Sequence, residues 1–175
     1  MIFEKGLVQV YTGEGKGKTT AALGLALRAV GQGLKVYILQ FLKSEEKSGE
    51  HKAAKLIPDI FIEQCGVKGF FNKDNISPAQ KEKAMEGLAR AKEAVMGQKY
   101  DMVILDEINV ALDYGLIPLE EVIKLIEGRP LQVELVLTGR NVPEEIKDLA
   151  DLISEVKMIK HPFAKGIKAR KGIEF

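Results

Sequence analysis

Apolar residues along this chain keep two rhythms. Short apolar runs with no consistent polar face fall at 7–11, 35–40, 60–64, 102–106 and 132–138. A weaker run falls at 155–160. Runs of this kind read as strands of a parallel sheet covered on both faces. Between them, apolar residues recur at spacings of three and four over 18–30, 77–97, 118–128 and 143–150. That is the spacing of helices buried along one side. The alternation predicts an α/β domain with a mostly parallel six-stranded sheet and helices on both faces. One domain accounts for all of 1–175, with no internal repeat and no low-complexity segment.

The boundaries carry their own signals. Ser77-Pro78-Ala79-Gln80 is a capping box with proline at the first helical position. In the first helix Leu23, Leu27 and Val30 share one side, beside small Ala22 and Ala26, and Gly31 and Gly33 end it. Pro118 opens a helix that turns Leu119, Val122, Ile123 and Ile126 inward and stops at Gly128 and Pro130. Residues 43–55 are charged and read as a mobile loop running into a short helix, with His51 solvated.

The chemistry concentrates where the first strand meets the first helix. Thr12, Gly13, Glu14, Gly15, Lys16, Gly17, Lys18, Thr19 and Thr20 form a glycine loop ending in G-K-T. The common phosphate-loop pattern places a glycine where this chain has Thr12. Glycines let successive backbone N–H groups turn onto phosphate oxygens, and the helix that follows adds its unsatisfied amides. Lys18 supplies a full positive charge, and the Thr19 hydroxyl is a ligand type for Mg²⁺ riding on phosphates. Residues 102–106 deliver Asp106 and Glu107 at a strand end, the second element of such a site. Glu107 is expected nearer the metal, with Thr19. Arg140, in Thr138-Gly139-Arg140-Asn141, leaves another strand at the ligand end, suited to a phosphate contact.

Other candidates stay open on residues alone. Gln40 either contacts a ligand or bonds neighbouring backbone. Phe70 and Phe71 are adjacent aromatics in a polar loop, facing a ligand or tucked beneath it. Cys65, the only cysteine, reads as a small buried thiol rather than a nucleophile. Arg28 lies ten residues past Lys18, about 15 Å along a helix, and reads as a surface or interface residue. The basic tail 160–175 is expected over the sheet edge or over the substrate.

Composition narrows the setting. With 175 residues, roughly 70 % of the unfolded surface is buried on folding. Lys+Arg 26 against Asp+Glu 25 gives no basic excess for general nucleic-acid binding. One cysteine permits no intrachain disulfide and no cysteine metal cluster. No signal-peptide layout and no apolar run of the ~20 residues needed to span a bilayer occur. A cytoplasmic setting, without membrane or nucleic acid, is expected. The loop itself does not say which bond breaks, since kinases, hydrolases and alkyl-transferring enzymes all use it.

Several blocks together resemble the corrinoid adenosyltransferases that act on cob(I)alamin and cob(I)yrinic acid a,c-diamide. They are the loop with Ala21-Ala22, the spacing from Arg28 to Gln40-Phe41, Gly69-Phe70, and the stretch from Asp101 to Asn109. To these add Tyr114-Gly115-Leu116-Ile117-Pro118, Leu137 to Asn141, and the ending that opens Lys160-His161-Pro162-Phe163. The resemblance implies a RecA-like P-loop fold and a homodimer. It also implies transfer of the 5′-deoxyadenosyl group from ATP to Co(I), with Mg²⁺ or Mn²⁺ and an electron-donating reductase or flavodoxin. It implies ATP bound in reverse of ordinary phosphate-loop hydrolases, and apolar residues that strip the lower axial ligand from Co(II), for which Phe70 and Phe71 are the candidates. Lys18 and Arg140 would stabilise the leaving triphosphate. The family often carries an N-terminal extension and a tryptophan after its glycine-phenylalanine; here Asn72 stands near that place and no tryptophan occurs. The alternative is a small-molecule kinase using the same loop.

Overall fold

The computed structural model describes residues 4–44, 48–69 and 73–173. Six strands are β1 (Val8–Thr12), β2 (Val36–Phe41), β3 (Ile60–Cys65), β4 (Met102–Asp106), β5 (Glu134–Thr138) and β6 (Leu152–Glu155). Among these residues the six α-helices are α1 (Lys18–Gly31), α2 (Gly49–Ala54), α3 (Pro78–Met96), α4 (Ile108–Asp113), α5 (Leu119–Gly128) and α6 (Glu144–Leu149), and a 3-10 turn spans Pro162–Lys165. The strands pair in the order β3-β2-β4-β5-β1-β6, and every pairing is parallel.

Alternation along the strands splits the core in two. Val36, Ile38, Met102, Ile104 and Val136 face α1. Tyr37, Leu39, Val103, Leu105, Leu135 and Leu137 face the opposite layer, where α3, α4, α5 and α6 contribute Leu88, Ile108, Leu125 and Ile146. Helices thus cover both faces, as a parallel sheet buried on both sides requires. The capping box at Ser77 forms with both of its hydrogen bonds.

Three local expectations are corrected. In α1 the buried residues on the sheet are Ala22, Ala26 and Ala29, while Leu27 is 57 % exposed. Small side chains let the helix axis come close to the sheet, and the larger leucines are displaced to its flanks. The last strand is Leu152–Glu155, not 155–160. Beyond Glu155 the chain leaves the sheet edge and is drawn over the glycine loop. Val156 donates to the Thr12 carbonyl at 2.8 Å, and Gly15 donates to the Val156 carbonyl at 2.7 Å. The apolar residues Met158 and Ile159 are exposed there, so their pattern did not mark a strand. His51 is buried rather than solvated, with Nδ1 3.0 Å from the Ser48 hydroxyl.

The order of strands positions the site. β1, which carries the glycine loop, is interior but one place from the edge, because β6 lies outside it. β5 stands between β1 and β4, so Thr138 ends between the glycine loop and Asp106.

Candidate active site

A cleft of about 730 Å³ opens at the carboxyl ends of the strands, where open α/β sheets bind ligands. Glu14, Gly15, Lys16, Gly17, Lys18, Thr19 and Thr20 form one wall. Glu107 and Arg140 form another, and Lys43, Gly49 and Glu50 close a third side. The tail reaches over the opening with Met158, His161, Phe163 and Ile173.

The loop is shaped by two different needs for glycine. Gly17 precedes α1 with φ 125°, a conformation that side chains resist, and no atom lies within 4 Å of where its Cβ would stand. Gly15 is required by space instead: a Cβ there would meet the Val156 carbonyl oxygen at 2.7 Å. The loop is therefore packed beneath the 156–157 backbone on one side and open to the cleft on the other.

Lys18 is buried, and its ammonium donates to the carbonyls of Gly13 at 2.6 Å and Gly15 at 2.8 Å. Burial pulls its pKa below the ordinary lysine value, opposed by the nearby Glu107 charge. The loop carbonyls thus hold the ammonium at the place from which it faces the cleft. Arg140 pairs with Glu14 at 3.1 Å, tying the loop after β5 to the glycine loop. Both partners are more than half exposed, so the pair steers geometry more than it stabilises.

The two carboxylates differ sharply. Asp106 is 1 % exposed and accepts four donors. Thr19 and Thr138 hydroxyls donate to Oδ1 at 2.8 and 2.7 Å. The Gln40 amide and the Lys43 ammonium each donate to Oδ2 at 3.0 Å. Glu107 follows with φ 61°, a left-handed conformation that costs a non-glycine residue about 1–3 kcal/mol. Its backbone N–H donates to the Thr138 hydroxyl at 3.0 Å. Its carboxylate faces the cleft and has no side-chain hydrogen-bond partner among the described residues. Burial, then the Asp106 charge, raise its pKa above the ordinary carboxylate value.

The residues anticipated from sequence separate accordingly. Glu14, Gly15, Lys16, Gly17, Lys18, Thr19, Thr20, Glu107 and Arg140 line one cleft. Thr12 is buried at the end of β1, and Gly13 offers its carbonyl to Lys18; neither lines the cleft. Gln40 is fully buried, donates to Asp106 and accepts from the Gln64 amide at 3.1 Å, so it positions a carboxylate instead of touching the cleft. The hydroxyl of Thr19 bonds Asp106, not Glu107. Phe70 and Phe71 lie outside the described residues. Cys65 is buried, its thiol pKa is pushed up to about 12 by burial, and its sulfur lies 3.7 Å from the Gln40 carbonyl. Arg28 is exposed on α1. Sequence reading missed Lys43 and the bridging part played by Thr138. Thr138 was visible as part of the T-G-R-N block; Lys43 stood among alternating charges with nothing to mark it.

A parallel sheet, a glycine loop leaving an interior strand, and an acidic strand end across one interposed strand define a P-loop nucleotide-binding protein of the RecA-like class. The KaiC-like protein of Pyrococcus horikoshii shares the fold, with a TM-score of 0.56, 18 % identity, and coverage of 91 % of this chain and 76 % of that one. Within this class the chain belongs to the ATP:corrinoid adenosyltransferase BtuR/CobO/CobP family, which it matches over residues 4–175. The corrinoid adenosyltransferase of Sinorhizobium sp. is 41 % identical over 180 residues, covering 98 % of this chain and 81 % of its relative. Those of Escherichia coli K12 and Salmonella typhimurium are each 39 % identical over 172 residues, covering 98 % of this chain and 87 % of theirs.

Proposed function

We propose that this protein transfers the 5′-deoxyadenosyl group of ATP to the Co(I) centre of a corrinoid and releases intact triphosphate. The observation that carries the reading is membership of the adenosyltransferase family over residues 4–175. The cleft agrees with it in chemical terms. Co(I) is itself a strong nucleophile, so the protein need not activate one. Its task is to align C5′ with cobalt and to receive a highly charged leaving group. The Co(I) electron pair forms the Co–C bond, the C5′–O bond breaks, and the triphosphate leaves with that oxygen.

Lys18, Arg140 and the loop N–H groups meet the growing charge on the triphosphate. Charge-assisted contacts of this kind act best where water is excluded. The oxygen donors present suit a hard divalent ion. Mg²⁺ commonly takes one or two carboxylates together with substrate phosphates. Thr19, Glu107 and Asp106 would hold Mg²⁺ or Mn²⁺, with Glu107 the carboxylate free to approach it. The ion neutralises phosphate charge when bound. Phe70 and Phe71 remain the proposed residues for keeping the lower axial ligand off Co(II). The homodimer, the reductase or flavodoxin that supplies the electron, and the cytoplasmic setting belong to the same proposal. No helix among the described residues is long and apolar enough to cross a membrane. The kinase alternative has no support among the relatives.

The test is the visible spectrum of Co(I) corrinoid mixed with protein and MgATP. The expected result is conversion to a light-sensitive alkylated corrinoid. An unchanged corrinoid alongside consumed ATP overturns the proposal.

A further inference from the structure

Lys43 belongs to no motif, yet the fold goes to some length to aim it. β2 ends at Phe41, and Leu42 then takes φ 63°, a left-handed turn that a leucine rarely adopts. That turn folds Lys43 back across the strand ends. Gly66, following β3, permits it: a Cβ on Gly66 would stand 2.6 Å from the Leu42 carbonyl carbon and 2.7 Å from the Lys43 nitrogen. The delivered ammonium lies 3.0 Å from Asp106 Oδ2 and 3.9 Å from Glu50. It lines the same cleft as Glu107 and the glycine loop.

Asp106 is thereby saturated. Two hydroxyls hold Oδ1, and an amide and an ammonium hold Oδ2. Of these four donors only Lys43 is charged, a third exposed and carried on a long flexible stem. Gln40 and Thr138 are fully buried and cannot leave. A divalent ion approaching this pair of carboxylates meets a positive charge already in place.

We propose that Lys43 is a tethered counter-ion that stands in for the divalent metal at Asp106 and Glu107. It keeps the metal out until the metal arrives with the triphosphate, which draws the ammonium off Asp106 and onto itself. The inference rests on the metal–nucleotide part of the reading above and not on the adenosyl transfer. Opposite charge within about 4–6 Å changes a carboxylate's affinity for a proton by ten- to a thousandfold; the affinity for a cation should respond in the same sense.

The experiment measures Mn²⁺ binding to corrinoid-free protein from the loss of the free-ion electron paramagnetic resonance signal. Without nucleotide, Lys43→Met and Lys43→Gln should bind Mn²⁺ at least about tenfold more tightly than the wild type, the low end of that range. Adding Asp106→Asn to either variant should remove the gain. Arg140→Met deletes the same charge from the same cleft without touching Asp106, and its gain should be clearly smaller. With ATP present the order should invert, because the wild-type ammonium then contributes to holding the metal–nucleotide complex. A side chain that merely supports the loop would lower both affinities together. The proposal is overturned if both Lys43 variants bind nucleotide-free Mn²⁺ no better than the wild type. It is equally overturned if Arg140→Met gains as much, or if the gain survives Asp106→Asn. None of these readings depends on turnover, so they stand apart from whether the corrinoid is alkylated.

Discussion

Lys18 is held between two carbonyls of its own loop, and that posture defines its task. In the proposed reaction, phosphate oxygens entering the cleft would replace or extend those contacts, with the charge already aimed before the substrate arrives. Lys18→Ala should lower turnover by roughly 10²–10³, the usual loss for one preorganised donor, measured at saturating ATP. A near wild-type rate would remove Lys18 from the site. Glu107 gives a prediction with a sign. Its folded pKa lies above the ordinary 4.5, so the ionised form is the less favoured one in the folded state. Its contribution to stability is complete below that ordinary value and is lost as pH rises through the folded pKa. Glu107→Gln should therefore raise the melting temperature at neutral pH in metal-free protein. The advantage should shrink as pH falls and vanish below about 4.5. A pH-independent difference would mean that the carboxylate is not penalised by burial. The same variant should shift the Mg²⁺ dependence of the rate more than a mutation at exposed Arg28 does.

Lys18, Thr19, Asp106 and Glu107 were legible because their chemistry travels with a fixed order of strand, loop and helix. Gln40 was noticed, but its partner was not, because a strand-end amide looks the same in sequence whether it meets a ligand or a carboxylate. Lys43 was invisible: its placement depends on left-handed Leu42 and on Gly66, 24 residues beyond that leucine, just after β3.

Elements add a constraint that single residues do not. Because β5 lies between β1 and β4, the Thr138 hydroxyl both donates to Asp106 and accepts from the Glu107 amide. Thr138→Val keeps the shape and deletes both bonds. It should lower stability by about 1–3 kcal/mol, the cost of leaving buried polar groups unsatisfied, read from denaturant unfolding. An unchanged midpoint would show that the bridge contributes nothing. The crossing of the 156–157 backbone over the glycine loop is equally specific. Gly15→Ala places a methyl 2.7 Å from the Val156 oxygen. It should cost about 1–3 kcal/mol as overpacking and speed proteolysis after Glu155; equal cleavage rates would refute the coupling. The sequence located five of the six strands to within about two residues because their apolar runs are buried on both sides. It misplaced β6, an edge strand with one partner and half-exposed side chains, whose apolar pattern is no stronger than that of the tail beyond it. The face of α1 was misread for a related reason: spacing groups the leucines, but close approach to a sheet selects the alanines.

At the scale of the whole molecule, one sheet end collects a glycine loop, two unlike carboxylates and four cations, Lys16, Lys18, Lys43 and Arg140, around a single cleft. Its fold class was readable from alternation alone. What the alternation could not supply was the bond that breaks, since the same cleft geometry serves attack at phosphorus as readily as attack at carbon. That choice belongs to the nucleophile. Co(I) is a soft centre that favours carbon, and displacement at C5′ expels all three phosphates as one unit. The measurement that tests this most directly is separation of the phosphate products after reaction of the protein with Co(I) corrinoid and MgATP. Intact inorganic triphosphate should appear in a one-to-one ratio with the light-sensitive adenosylated corrinoid. ADP with an unchanged corrinoid would contradict the account and assign the cleft to phosphoryl transfer.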